Sequence, residues 1–437
     1  MKINWFSPLP PAKTDIANYT MRILSELQKF AEVILWTDQI LISSEIMKTF
    51  EVRRYALSDV PWVDLNKADV SFFNIGNNPS FHCAIWEISR KHPGIVILHD
   101  THLQHFFCEL YINNLGNKSG YVEKMQSYYG ETGAQIAQEY FNGSLKIDQL
   151  SELCPLTPLA LENSLGVIVH SEKAFFDLKE LRQLPICCAP LPFPSGRNIS
   201  KVNDTPKPPT PPFKLIIFGY LGPNRRLDSV LEALAGLSEK GYFTLDIFGE
   251  LWDVGHIKTT INSLGLSNQV QIHGFVPIKE LEYALTTAHL AINLRFPTMG
   301  EASATQLTIW ANGLPSLVSK VGWYAELPDD TVAFVRPDHE VTDIQNHLRA
   351  FLDNPCSFGM LGDNGLKLLQ EQHLPSAYAE NIINFASTVI SAQPFLLSYF
   401  YQRIGDELSL FPEKSLCADN IKKIALEIQS LSSELRG

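Results

Sequence analysis

The stretch from Arg295 to Gly322, RFPTMGEASATQLTIWANGLPSLVSKVG, sets a Gly-Glu-Ala-Ser loop directly before an apolar helical run and a Gly-x-Pro turn. A loop that follows a strand and opens a helix leaves the first helical amides unpaired at the positive end of the dipole, a ready place for an anion. Ala302, Ser303 and Ala304 fall there, and Ser303 is either a phosphate contact or simply the helix cap. A second candidate is FGYLGPNRRLDSVLEAL, a strand that ends in a glycine-bearing loop with Arg225 and Arg226. Two guanidiniums at a strand end suit a diphosphate and can neutralise it as it departs, although loop arginines are commonly solvated surface charge. In the first half, His99 and Asp100 close the run VILHD, and His170 and Ser171 close VIVHS. A histidine at such a rim bonds a sugar hydroxyl or moves a proton near neutral pH, or it is a structural ring satisfied by its neighbours. Asp100, His102 and His105 are close in sequence and suggest a metal, but a metal needs ligands on one face with supporting groups around them, which the sequence does not demonstrate, and no metal is expected.

These residues need elements to hold them. The run KINWFSP reads as a short strand stopped by Pro8; MRILSELQKFA carries Met21, Ile23, Leu24 and Leu27 at helical spacing, and EVILWT reads as a second buried strand. The order continues through ADVSFFNIG, GIVILHD and LGVIVHS, with a mainly helical excursion from about 104 to 160. Continuous apolar runs that end in polar turns fit a parallel sheet covered on both faces. From Asn198 to Pro212, NISKVNDTPKPPTPP has no hydrophobic period and is rich in proline, which makes a stiff connector. Past it the alternation restarts with KLIIFGYLG, LDSVLEALAGLSEKG, FTLDIFGE, VQIHGF, KELEYALTTA, LAINLRF and SLVSKVG. The fold class is therefore α/β: two Rossmann-like, doubly wound domains facing each other across a cleft where their strand-end loops meet, with C-terminal helices. The expected division is 1–198, a linker over 199–212, a second domain over 213–375 and a helical segment over 376–437.

Composition narrows the function. With 47 acidic against 35 basic side chains the formal net charge is -12, which argues against nucleic acid as a partner, because phosphate backbones need clustered Lys and Arg. The cysteines at 83, 108, 154, 187, 188, 356 and 417 lack the spacing of a zinc site and read as reduced, mostly buried thiols. No basic segment followed by an export-length apolar stretch opens the chain, and no run approaches the roughly 20 apolar residues of a membrane span. A soluble, cytoplasmic protein is expected. The loop LPPAKTDIANY after the first strand contains no glycine, so the dinucleotide fingerprint is absent and a nicotinamide or flavin dehydrogenase is disfavoured. Neither a P-loop, a Gly-x-Ser-x-Gly elbow nor a His-Glu-x-x-His sequence occurs.

The second half, with FGYLGPNRRLDSVLEALA, VQIHGFVP, HLAINLRFPTMGEAS and ANGLPSLVSKVGWYAELPDD, resembles the retaining glycosyltransferases of the GT-B fold, family 4 in particular. INWFSPLPPAKTDIANYT resembles that family's opening strand and acceptor-side loop, and the likeness runs over roughly residues 1 to 390. By this resemblance Arg225 falls where the family carries a Lys on the donor diphosphate. Tyr220 takes the place of the partner Arg, whose charge is either missing or supplied by Arg226. Of the family's two glutamates, the first position is Gly300, with Glu301 one place along as its replacement on the transferred sugar; the second is Thr308, which cannot accept ribose hydroxyls as a carboxylate does. His99 resembles the first-domain histidine beside the donor sugar.

The resemblance implies transfer of a hexose-type unit from a nucleoside diphosphate sugar to a hydroxyl of a glycan or lipid-linked glycan, in surface polysaccharide synthesis, with no cofactor and no metal. Arg225, Glu301 and His99 are the implied catalytic set, and Arg225, Arg226, Ala302, Ser303 and Ala304 hold the diphosphate. Glu301, Thr308, Gly219, Gly274 and Phe275 face the sugar or nucleotide. The loop of Thr14, Asp15, Ile16 and Ala17, with Asp100 and His170, forms the acceptor side; Asp15 would repel phosphate if it pointed inward. Peripheral association with the inner face of a membrane stays open, as do two other readings: a catalytically silent protein of this fold that binds a glycan or partner enzyme, and a nucleotide-sugar epimerase.

Overall fold

The structure is a computed structural model that describes residues 1–181, 184–194 and 210–391. Most of the proline-rich connector, and the amphipathic NIKKIALEIQSLSSEL near the C-terminus, lie outside the described residues. Met1–Ile383 form one compact unit; of a second, which begins at Asn384, only the end of the helix Pro375–Ser391 is described.

Two all-parallel sheets make up the first unit. One is formed by β1 (Lys2–Phe6), β2 (Glu32–Thr37), β3 (Glu51–Arg54), β4 (Val70–Ile75), β5 (Ile95–Leu98), β6 (Gly166–Val169) and β7 (Ile186–Cys188), in the order β3-β2-β1-β4-β5-β6-β7. The other is formed by β8 (Phe213–Leu221), β9 (Phe243–Leu251), β10 (Val270–Gly274), β11 (Leu290–Asn293), β12 (Ser316–Ser319) and β13 (Ala333–Val335), in the order β10-β9-β8-β11-β12-β13. Every residue of β4, β5, β6, β11 and β12 is buried, as strands covered on both faces must be. Helices provide the cover. The helix Asp15–Leu27, capped by the Thr14 hydroxyl on the Ile16 amide, buries Ala17, Tyr19, Thr20, Ile23, Leu24 and Leu27 along one stripe.

Both sheets reverse their direction of winding beside their first strand, between β1 and β4 and between β8 and β11. Ligands of such sheets bind in the crevice beyond the strand ends at that switch. At the β8 end two glycines let the backbones approach. Gly219 and Gly249 pair across β8 and β9 with φ of 114° and 107°, and a Cβ on Gly249 would lie 2.0 Å from the Gly219 carbonyl oxygen. No side-chain rotation relieves a clash with backbone, so Gly249→Ala is expected to cost more than ~3 kcal/mol. A urea unfolding midpoint close to that of the wild type would contradict this.

The expected boundary at 375 does not follow the packing. Tyr378 reaches back to the first sheet's domain, its hydroxyl 2.7 Å from that of Tyr19, and Asn381 meets the Cys187 thiol. His373 takes part in the same return, bonded through Nδ1 to the Leu191 carbonyl. Strands β3, β7 and β13, which the sequence pattern does not announce, are short edge or near-edge elements of EVRR, ICC and AFV. Cys83, Cys108, Cys154, Cys187, Cys188 and Cys356 are free thiols, and among the described residues no helix is long and apolar enough to cross a membrane.

Candidate active site

The β8 end turns into the short helical turn Pro223–Arg225, and this turn decides where two adjacent arginines go. Arg225 is carried inward and is 3% exposed. Its Nη2 donates to the Phe218 carbonyl at 3.4 Å, while Nε and Nη1 are buried without a hydrogen-bond partner. Burial, followed by repulsion from neighbouring Arg295, pushes its pKa down to about 10. A buried guanidinium with unmet donors is costly unless an anion completes it. Arg226, expected on the diphosphate, goes elsewhere. It sits in a left-handed conformation at φ 56°, which turns its side chain to the helix Glu340–Asp353, where it pairs with the buried Glu340 at 2.8 Å. That ion pair occupies its charge.

Glu301 lies in the loop after β11 and is held on both oxygens. Oε2 accepts the Thr298 hydroxyl at 2.9 Å and the Met299 amide at 2.7 Å, and Oε1 stands 2.9 Å from Arg295 Nε. Arg295, which sequence reasoning missed, is the residue that brings the β11 end and Arg225 together. Burial opposes its charge, but Glu301 and Tyr324 leave its pKa raised overall. The signal available in the sequence was only a basic residue two places beyond a buried apolar strand, a position from which a side chain must point into the crevice or out of the sheet.

The helix Ala304–Ala311 opens beside this group. Ser303 is its cap, with Oγ accepting the Gln306 amide at 3.1 Å and lying 3.5 Å from Asn293 Nδ2. Its hydroxyl is thus engaged by the helix, and the amides of Ala304 and Thr305 are the ones a helix start leaves for an outside acceptor. The first turn flanks β8: Thr305 Oγ1 lies 3.8 Å from where a Cβ on Gly219 would stand. Ala302 is half-buried just ahead of the cap. Thr308 donates its hydroxyl to the Ala304 carbonyl at 2.9 Å and is half-buried. Gly274, at φ 70°, ends β10 and Phe275 follows it, on a strand separated from β8 by β9; Phe275 is 79% exposed, with Lys13 of the first domain 5.5 Å above its ring.

Across the crevice the ends of β1, β4 and β5 converge on Gly76. A Cβ there would stand 2.7 Å from Ile16 Cδ1 and 3.2 Å from Asp100 Oδ2. Asp100 accepts the Asn77 amide at 2.7 Å, and desolvation followed by the nearby Glu301 pushes its pKa up to about 7. His99 Nε2 lies 3.0 Å from Asn74 Oδ1, and Asn74 spends its amide group on the Phe6 carbonyl, so His99 is the donor and keeps its proton on Nε2. Desolvation and the neighbouring His170 hold His99 well below its usual pKa. His170 is 5.1 Å from it between centroids, with Nδ1 on the Ala189 carbonyl and Nε2 buried without a partner. Thr14 caps its helix, Ala17 is buried beneath it, and Asp15 points to solvent in a 3.1 Å pair with Arg22, so that carboxylate does not face the crevice. His102 lies by Glu301, whereas His105 faces Asp148 at 3.7 Å, and the two histidines diverge.

The loop after β11 joins the two halves. The Met299 carbonyl accepts the amides of Thr101 at 2.9 Å and His102 at 3.0 Å, and its side chain is buried. A second joint is the Glu326 carboxylate, which receives the Glu172 and Lys173 amides at 2.9 and 2.7 Å.

Two parallel Rossmann-like sheets with their switch points joined in this way define the GT-B glycosyltransferase architecture. Residues 200–367 match the family model described as glycosyl transferases group 1. The fold is similar to that of sucrose-phosphate synthase from Thermosynechococcus elongatus, at a TM-score of 0.61 and 14% identity over 90% of this chain and 100% of that one. It is also similar to HepE of Anabaena in complex with UDP-glucose, at 0.61 and 14% over 89% and 100% of the two chains. WaaG, a glycosyltransferase involved in lipopolysaccharide biosynthesis, aligns at 0.52 and 15% over 86% and 98%. Comparison with curated proteins gave no match.

Proposed function

We propose that the chain moves a hexose-type unit from a nucleoside diphosphate sugar to a glycan hydroxyl, with retention at the anomeric carbon, in the assembly of a surface polysaccharide. The observation that carries this reading is Arg225, buried at the donor-side switch point with Nε and Nη1 unpartnered beside the opening of the helix Ala304–Ala311. Such a place favours a group that gains negative charge as a bond breaks. The similarity in fold to a structure holding UDP-glucose and to a lipopolysaccharide glycosyltransferase supports the donor and acceptor classes.

In this reading the sugar C1 to oxygen bond breaks and its electron pair stays on the diphosphate, held by Arg225 and the amides of Ala304 and Thr305. The acceptor hydroxyl adds to C1 from the same face and its proton passes to the departing diphosphate oxygen. Guanidinium and amide donors supply the positive charge, so the reaction proceeds without a metal. Glu301 and His99, the latter fixed through Nε2 on Asn74, orient the sugar, and the acceptor enters past Asp100 and the loop Thr14 to Ala17. Closure at Met299 keeps out the water that would otherwise hydrolyse the donor.

Calorimetry with UDP-, GDP-, ADP- and dTDP-sugars tests the reading. One donor is expected to bind selectively, and NMR of the glycoside made from it is expected to show the donor's anomeric configuration. Absence of binding by all four, or an inverted product, would overturn it.

A further inference from the structure

We propose that Arg295 is the second cationic contact for the departing diphosphate, taking over a charge that the β8 loop does not provide. This rests on the donor-site reading above. The β8 loop offers two other positions, and neither supplies the charge: Tyr220 is not a basic residue and is 68% exposed, and Arg226 is paired with Glu340. Arg295 comes instead from the end of β11, the strand that flanks β8 on the other side of the switch point.

Charge balance at the crevice supports the assignment. Two guanidiniums, Arg225 and Arg295, stand close enough to repel each other, and among the described residues Glu301 is the one carboxylate in ion-pair contact with either. Glu301 compensates Arg295 only in part. Its Oε2 is bound by Thr298 and Met299, and although Arg295 Nε is 2.9 Å from Oε1, its N–H is not aligned for a hydrogen bond. Arg295 is anchored by its backbone amide on Ser319 at 3.0 Å, and its guanidinium is steered by Glu301 and the Tyr324 hydroxyl, with its Nε–H left for a ligand. The Arg225 charge, disfavoured by burial and by Arg295, gains most when an anion arrives, and a diphosphate is the size and charge that both forks can share. Glu301 then acts as a placeholder on Arg295, a contact that the diphosphate replaces when it binds.

The test is calorimetry on the full chain with UDP, GDP, ADP and dTDP, each against its monophosphate, for the wild type, Arg225→Ala, Arg295→Ala, Arg295→Lys and Glu301→Gln, with melting temperatures to confirm folding. Arg295→Ala is expected to weaken the preferred diphosphate ~10- to 100-fold while changing the monophosphate less than about threefold. Arg295→Lys recovers part of the loss, since it keeps the charge without the fork. Glu301→Gln binds the diphosphate as tightly as the wild type or more so, because it releases Arg295. Wild-type affinity in Arg295→Ala beside a loss in Arg225→Ala would overturn this inference and leave the donor site standing. Equal losses on mono- and diphosphate, or a matching loss in Glu301→Gln, would make Arg295 a structural strut. If no diphosphate binds the wild type, the donor-site reading fails and this inference fails with it.

Discussion

Replacing Arg225 with methionine is expected to stabilise the unliganded protein and to remove its activity. The two effects have one cause. In the free protein the guanidinium is 3% exposed, with Nε and Nη1 unbonded and Arg295 close by. Exchange of a poorly compensated buried charge for an apolar side chain of similar reach is neutral or stabilising by about 1–4 kcal/mol. In the transition state the same group faces the charge that collects on the leaving diphosphate, where loss of one preorganised donor costs ~10²- to 10³-fold in turnover. Differential scanning calorimetry without ligand and initial rates with the selected donor read the two signs separately. The ligand-induced rise in melting temperature seen in the wild type should vanish in the variant, because stabilisation by a ligand follows its affinity. A variant that melts several degrees lower and still turns over would show Arg225 to be a structural cation.

Much of the frame was legible because parallel strands buried on both faces leave continuous apolar runs: VSFFNI, IVIL, GVIV and LAIN are buried at every position. The edge element EVRR alternates charge with one apolar residue and left no such mark. At the site, chain-local features could be read and chain-distant ones could not. The helix opening at Ser303 follows from residue order, as does an arginine at the β8 end. Which of Arg225 and Arg226 turns inward depends on a left-handed φ at Arg226 and on Glu340, more than a hundred residues away. Arg295 was passed over because its role arises from the adjacency of β11 and β8, and strand order is not written in any local pattern. The return of Tyr378 to Tyr19 was hidden for the same reason: a buried phenol pair across 359 positions has no sequence period.

Gly300→Ala is expected to reduce kcat/KM about 100-fold while changing donor affinity little, because it strikes the joint between the two halves and leaves the diphosphate contacts in place. Gly300 has φ 78°, and a Cβ there would fall 1.8 Å from Thr101 Oγ1, 3.0 Å from Thr101 Cβ and 3.3 Å from the Thr101 amide nitrogen. A new rotamer of Thr101 moves only the first of these atoms, so the backbone must separate. Thr101 donates its amide to Met299 and adjoins Asp100 and His99, so this separation displaces the acceptor side of the crevice relative to Glu301. A displacement on the order of 1 Å between reacting groups costs roughly 10²-fold in rate. Thr101→Gly removes two of the three opposing atoms, and the double variant Gly300→Ala/Thr101→Gly should recover a measurable part of the loss, though not the ~1–2 kcal/mol cost of a left-handed alanine. Steady-state kinetics on the single and double variants decide the matter. Full turnover in Gly300→Ala, or no recovery in the double variant, would mean that closure at Met299 does not govern the chemistry.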